Sequence, residues 1–167
     1  VFDSILGIMN APEQLAGLLA HEASHIQLKH STRAIFRELA NQLLISLVFG
    51  DYGSVSGVVA QHGGQLAGLS YSRELELEAD ARGLELLERS RIPLRGMSDL
   101  FRKMQAAAPA GQGMPNFLST HPAMEERLRI VEEKISGKGK AWKVPASLDS
   151  IWALIRPAAL SRRTDTW

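Results

Sequence analysis

His21-Glu22-Ala23-Ser24-His25 is the stretch on which the reading of this chain turns. The pattern is His-Glu-x-x-His. On a helix of roughly 100° per residue the two histidines stand about 40° apart, so both imidazoles leave one face and can hold one metal ion. Glu22 lies beside them, placed to take a proton from a water at that ion. The pattern therefore requires a helix across residues 21–25, and the flanking residues predict one. Asn10-Ala11-Pro12-Glu13 reads as its start, with Asn10 as cap, Pro12 in the first turn and Glu13 at capping-box spacing. The helix is predicted to run to about His30, with Leu15, Leu18, Leu19, Ala23 and Ile26 as its apolar face.

The rest of the chain is read in the same way. Val1–Met9 is apolar and suits a strand end leading into a turn. A second helix is predicted over about Arg33 to Phe49, on Ile35, Leu39, Leu43 and Leu47. Residues 50–70 hold six glycines and read as loop or weak helix. Helices follow over about Tyr71 to Arg89 and, past Pro93, Arg95 to Ala107. Ala108–Asn116 is a loop by its prolines and glycines; Thr120 then caps a helix to about Ile135, with Pro122 in its first turn. Gly137-Lys138-Gly139-Lys140 reads as a linker. The tail beyond it has the apolar anchors Trp142, Val144, Leu148, Ile151, Trp152, Leu154 and Ile155, which suit packing against a surface. Period-two alternation is almost absent. The predicted fold class is mainly α, α+β at most, with residues 1–136 as one domain and 137–167 as linker and C-terminal extension.

Composition narrows the function. At 167 residues, 45% hydrophobic and 22% charged, the chain can bury a core of ordinary globular kind. A net charge of +1 gives no electrostatic basis for nucleic acid binding. With no cysteine, thiolate zinc sites, disulfides and thiol nucleophiles are excluded. The longest apolar run, Leu43–Phe49, is far short of the roughly 20 residues that span a bilayer. No targeting segment is visible, and a start at Val1 rather than Met reads as a fragment or a processed product.

Two histidines do not complete a catalytic metal site, which takes three protein ligands and leaves one position open. The three-histidine extension would place Gly at 28 and His at 31, where this chain has Leu28 and Ser31. His30 lies about 140° round the predicted helix from His25, out of reach of the same ion. It and His62 read as structural or solvated. A downstream carboxylate remains, and spacing alone does not choose among Glu74, Glu76 and Glu78. Glu76 and Asp80 share a helix face, so one could bind metal while the other fixes a histidine. Glu74 and Glu78 share a different face and could simply be solvated.

His21-Glu22-Ala23-Ser24-His25, then Ser72-Arg73-Glu74-Leu75-Glu76-Leu77-Glu78-Ala79-Asp80, then Thr120-His121-Pro122 with Arg127, follow in an order that resembles one family. It is the zinc metallopeptidase family of the HtpX protease, the CAAX prenyl proteases and the periplasmic BepA-like proteases. The resemblance covers about residues 10–135. It implies a zincin-like metallopeptidase helical core with little strand. One Zn²⁺ per chain would be held by His21, His25 and Glu76, the last being the Glu of a Glu-x-x-x-Asp motif closed by Asp80. Glu22 would be the general base, and Asp80 would fix a histidine from behind. His121 would face the site, either to stabilise the tetrahedral intermediate or to occupy the open zinc position. Arg127 would orient His121 or a carboxylate.

The implied function is a zinc-dependent metalloendopeptidase that hydrolyses peptide bonds of unfolded or misassembled envelope proteins. The alternative is a latent zinc-bound binding or chaperone-like module with His121 on the open position. A structural zinc site would instead turn Glu22 away from the ion. The implied partners are a polypeptide substrate and membrane-associated substrates or assembly machinery, with no nucleic acid. The implied location is extracytoplasmic, periplasmic or membrane-associated. Only nine residues precede Asn10, so the N-terminal part of the domain, with the edge strand that lays out substrate, is expected to be missing. The membrane spans of HtpX-like members are absent too, which makes the BepA-like branch the closer likeness.

Overall fold

The computed structural model describes residues 5–49, 72–107, 121, 123–136, 138 and 142–161. Among them are six long helices and no strand: α1 (Pro12–Gln27), α2 (His30–Phe49), α3 (Arg73–Arg89), α4 (Arg95–Ala106), α5 (Met124–Ser136) and α6 (Ala146–Ser161). The mainly α class follows the sequence pattern. Of the stretch Val1–Met9, read as a strand end, residues 1–4 lie outside the described residues and Ile5–Leu6 form a helical turn, closed by Ile8 N–H donating to Ile5 O at 3.1 Å. The glycine-rich stretch at 50–70, His62, the loop at 108–116 and the Thr120 cap lie outside the described residues. No described helix is long and apolar enough to cross a membrane.

Helix α1 is the central element. It packs along α3 and α4 and also meets α2 and α6, while α5 closes over α4 and α3. Its N-cap is Ala11 rather than Asn10, with Pro12 in the first turn as predicted. Asn10 stands one residue earlier. Its N–H donates to Gln14 Oε1 at 2.9 Å and Gln14 Nε2 donates back to Asn10 Oδ1 at 3.1 Å. The reciprocal bond expected of Glu13 is thus made by Gln14, and Glu13 lies 3.8 Å from Arg95.

The apolar face expected of α1 holds only over its first half. Leu15 and Leu18 are buried, but Leu19, Ala23 and Ile26 are exposed. The inward stripe continues through His21, Ser24 and His25. Periodicity of hydrophobic residues misses it because polar residues occupy the inward face there. The helix also ends earlier than predicted. Leu28 N–H donates to Ser24 O at 2.9 Å, and Lys29 takes a left-handed conformation with φ of 55°. His30 then begins a new helix.

The body beneath the polar stripe is apolar. Leu15, Leu18, Leu84, Leu87, Met97, Leu100, Phe101, Met104 and Val131 share one buried cluster. Each large side chain taken fully out of water contributes about 1.5–3 kcal/mol. Three helices meet at Met97, which is wholly buried. A Cβ on Gly96 would overlap the Glu13 carbonyl, and one on Gly83 would lie 2.9 Å from Met97 Cε and 3.3 Å from His21 N. The missing side chain at Gly83 lets α3 lie against α1 at the level of His21.

The tail anchors divide. Trp152 is buried in the shared core, with Trp142, Leu148 and Ile155 packed against it, whereas Ile151 and Leu154 are exposed. On α2, Ile35 and Leu39 are partly covered, while Leu43 and Leu47 are exposed among the described residues. Helix α2 is tied to α3 through its first two turns, where Arg33 donates to Glu78 at 2.7 Å and Arg37 to Ser72 at 3.4 Å.

Candidate metal centre

The inward face of α1 carries His21 and His25 side by side, with their Nε2 atoms 3.0 Å apart. Helix α3 crosses at that level and contributes Glu76, which is fully buried. Glu76 Oε1 lies 3.3 Å from His25 Nε2, and Oε2 lies 3.6 Å from His21 Nε2. His121 comes in from the chain just before α5. Its Nδ1 is 3.3 Å from His21 Nε2 and 3.1 Å from both carboxylate oxygens of Glu76. One donor atom from each of these four residues lies within 4.8 Å of the other three. Glu74 and Glu78 of the same helix point outward and are well exposed, so of the three candidate glutamates only Glu76 reaches this point.

The fit to a metal ion can be judged from these spacings. Ligands bound to Zn²⁺ at roughly 2.0–2.1 Å in a tetrahedron are about 3.3 Å from one another. The separations here, from 3.0 to 3.6 Å, bracket that value. The donor set of imidazole nitrogen and carboxylate oxygen is one that suits zinc. The proton positions agree. Asp80 Oδ1 is 2.8 Å from His21 Nδ1, and a carboxylate can only accept, so Nδ1 carries the proton. His21 Nε2 therefore presents a lone pair to the shared point. A buried cluster of converging lone pairs and a carboxylate fits a cation.

Behind these donors lies a second layer of charge. Arg127, wholly buried on α5, donates from Nε to Asp80 Oδ2 at 2.7 Å and from Nη2 to Asp80 Oδ1 at 2.8 Å. Its Nη1 is 2.5 Å from Glu76 Oε2, and its guanidinium sits 4.8 Å above the Phe101 ring. The planar fork makes a paired hydrogen bond to Asp80, which a lysine could not do, and its Nη1 faces Glu76 as an ion pair. It orients Glu76 and Asp80, and approaches His21 only at 3.4 Å.

The electrostatics follow from this packing. Burial pushes the Glu76 carboxyl up, but hydrogen bonds with His121 and His25 and the Arg127 charge outweigh it and hold the group well below the usual carboxylate range. Asp80 behaves alike: burial opposes ionisation, and the bonds to Arg127 and His21 override it. Burial lowers His21, so its neutral form is favoured despite the Asp80 contact. A neutral imidazole beside an ionised carboxylate is the state in which both can bind a metal.

Glu22 stands at the open side. Its side chain is 28% exposed, and Oε1 lies 3.8 Å from His121 Nε2. That oxygen is buried and has no hydrogen-bond partner among the described residues. A buried carboxylate oxygen left without a partner costs about 1–3 kcal/mol or more, which a group placed there for a partner from outside would recover.

The seven residues that the resemblance assigned to the site thus lie together: His21, His25, Glu76 and His121 around a common point, Glu22 beside it, and Asp80 and Arg127 behind. The sequence reading did not foresee the neighbour of His25. His30 Nδ1 lies 2.9 Å from His25 Nδ1, and His30 is fully buried. The 140° between His25 and His30 holds only along an unbroken helix. The break at Leu28–Lys29 swings His30 behind His25, and no glycine or proline marks that break. Glu78, read as possibly solvated, meets His30 at 3.4 Å.

Comparison with known proteins places the chain in context. The profile of Peptidase family M48 matches residues 1–135. The mitochondrial metalloendopeptidase OMA1 of Schizosaccharomyces pombe is 31% identical over 136 residues, covering 80% of this chain and 40% of its own length. The beta-barrel assembly-enhancing protease of Escherichia coli O157:H7 is 34% identical over 127 residues, covering 69% of this chain and 26% of its own. The metalloprotease YcaL of Escherichia coli K12 is 27% identical over 143 residues, covering 83% of this chain and 55% of its own. The chain thus spans between about a quarter and just over half of the length of these relatives. No solved structure gives a significant match.

Proposed function

The chain belongs to Peptidase family M48, and from that membership we propose that it is a zinc-dependent metalloendopeptidase acting on polypeptide chains. The observation that carries this reading is the meeting of His21, His25, Glu76 and His121 at one buried point, with Glu22 on the open side.

In this proposal His21 Nε2, His25 Nε2 and a Glu76 oxygen hold the ion, and residues 1–136 form the peptidase unit with 137–167 as its extension. Bound zinc supplies a Lewis acid that acidifies water and polarises a carbonyl. Glu22 takes the proton of the attacking water at Oε1 and hands it to the leaving amine. Asp80 keeps the proton of His21 on Nδ1, which leaves Nε2 free to bind. Arg127 holds both Asp80 and Glu76 in place. His121, whose Nε2 lies 3.8 Å from Glu22 Oε1, steadies the negative charge that develops on the substrate carbonyl oxygen.

The substrates we propose are unfolded or misassembled envelope proteins, in an extracytoplasmic compartment. The support is the likeness to beta-barrel assembly-enhancing proteases from several bacteria. Membrane-associated assembly machinery is the matching partner class. The test is digestion of an unfolded protein such as reduced casein by the purified chain, with and without a chelator. Cleavage that stops on chelation and returns with one equivalent of zinc supports the reading. Cleavage indifferent to chelation overturns it.

A second reading rests on the position of His121 Nδ1, as close to His21 and Glu76 as a fourth ligand would be. With that corner filled by the protein itself, the chain would be latent and would serve as a binding or chaperone-like module. In that case His121→Ala would raise proteolysis. In the first reading it lowers it.

A further inference from the structure

The two histidines of α1 are supported from behind in different ways. His21 Nδ1 faces a carboxylate, Asp80. His25 Nδ1 faces another imidazole, His30 Nδ1, at 2.9 Å, and both rings are buried. Two ring nitrogens this close share one proton, since two N–H groups would clash and two lone pairs would repel. If His25 offers Nε2 to the metal, its Nδ1 must carry the proton and donate it. His30 Nδ1 must then accept, which places the His30 proton on Nε2. That atom lies 3.4 Å from Glu78 Oε2, and the same carboxylate oxygen accepts from Arg33 Nη1 at 2.7 Å. His25, His30, Glu78 and Arg33 thus form a line of contacts from the buried point to the α2–α3 surface, in which the His30 Nε2–Glu78 step is a charge contact rather than a hydrogen bond.

We propose that His30 is a positioning residue for the metal site, and that the Glu78 charge, held by Arg33, favours the tautomer with its proton on Nε2. His30 touches neither metal nor substrate. It holds the His25 ring at the angle and in the tautomer that present Nε2 to the ion, as Asp80 does for His21. Among the described residues, helix α2 reaches the centre through this line of contacts, its first residue brought behind α1 by the left-handed Lys29. The inference rests on the proposed ligand role of His25, and its test separates the two.

The first measurement is zinc affinity, by competition with a chromophoric chelator. His30→Leu fills the space but cannot accept a proton from His25. It is expected to weaken zinc binding about 10–100-fold, the usual effect of removing such a support. His30→Gln, whose carbonyl oxygen can accept, should recover part of that loss. Glu78→Gln, at the surface, should cost less than His30→Leu, with helix content checked against wild type. Full wild-type affinity in His30→Leu, with wild-type helix content, would overturn the proposal.

The second measurement reads the protons directly, by long-range ¹⁵N–¹H spectra of the imidazoles in the zinc-loaded chain. His25 protonated at Nδ1 and His30 at Nε2 is the expected pair. A His30 proton on Nδ1 contradicts it. If instead the wild-type chain takes up no zinc, or His25→Ala binds it unchanged, the ligand assignment fails rather than the relay.

Discussion

Arg127 holds Asp80 by two parallel hydrogen bonds, at 2.7 and 2.8 Å, where neither side chain meets solvent. Such a pair is weak support when intact, because both ions are stripped of water, yet breaking it leaves a buried charge without an answer. Here two carboxylates depend on the one guanidinium. Arg127→Met should destabilise the metal-free chain by about 3–5 kcal/mol, read from urea unfolding. Arg127→Lys should fall between, since it keeps the charge and loses the fork. An unchanged midpoint in Arg127→Met would show that Glu76 and Asp80 find other partners.

Glu22 is close to the donor cluster without belonging to it. Glu22→Gln is expected to keep one zinc per chain and to lower kcat about 10²–10⁴-fold, the usual contribution of a positioned acid–base group. Zinc content by atomic absorption and turnover of a quenched peptide check the two halves separately. A variant that cleaves like wild type removes Glu22 from the mechanism.

Glu76 and Glu74 sit two residues apart on α3, one fully buried and the other 83% exposed. Glu76→Ala should bind clearly less than one equivalent of zinc at micromolar concentration, and Glu74→Ala should bind a full equivalent. Equal stoichiometry in both variants would take Glu76 off the ligand set.

Acid should unfold the metal-free protein in two stages. His21 is lowered in the folded chain, so its protonation favours the unfolded state, and that loss begins as the pH falls below about 6.5. Glu76 and Asp80 are held low when folded. Their support is complete above the unfolded carboxylate range of about 4 and is lost as the pH falls from there through their lower folded values. Melting temperatures from pH 8 to 3 should show a decline starting near 6.5 and steepening below about 4. A flat profile down to pH 4 would rule out a burial-lowered His21.

Spacing made only part of this centre legible, since the choice of Glu76 over its neighbours, and His121 and Arg127, came from the family resemblance. Two histidines four apart on a helix must share a face, and Glu76 with Asp80 must do the same. What failed was the reading of continuity. Nothing in Leu28-Lys29-His30 announces a left-handed residue, so the angle to His30 was measured along a helix that had already ended. The polar inner stripe of α1 likewise hid half of that helix's buried face from any count of apolar residues. The approach of α3 to α1 rests on Gly83, which in sequence is only a weak point of a helix. Its meaning appears when the His21 backbone lies opposite.

The donor cluster joins segments that are far apart in the chain: His25 and Glu76 are separated by about fifty residues. The chain has no cysteine with which to staple those segments covalently. An ion shared between α1 and α3 would close the intervening loop as a disulfide does, and a crosslink over such a span stabilises by on the order of 4 kcal/mol in the chain-entropy view. Starved of zinc, the chain would lose that fastening together with the ion its proposed chemistry uses.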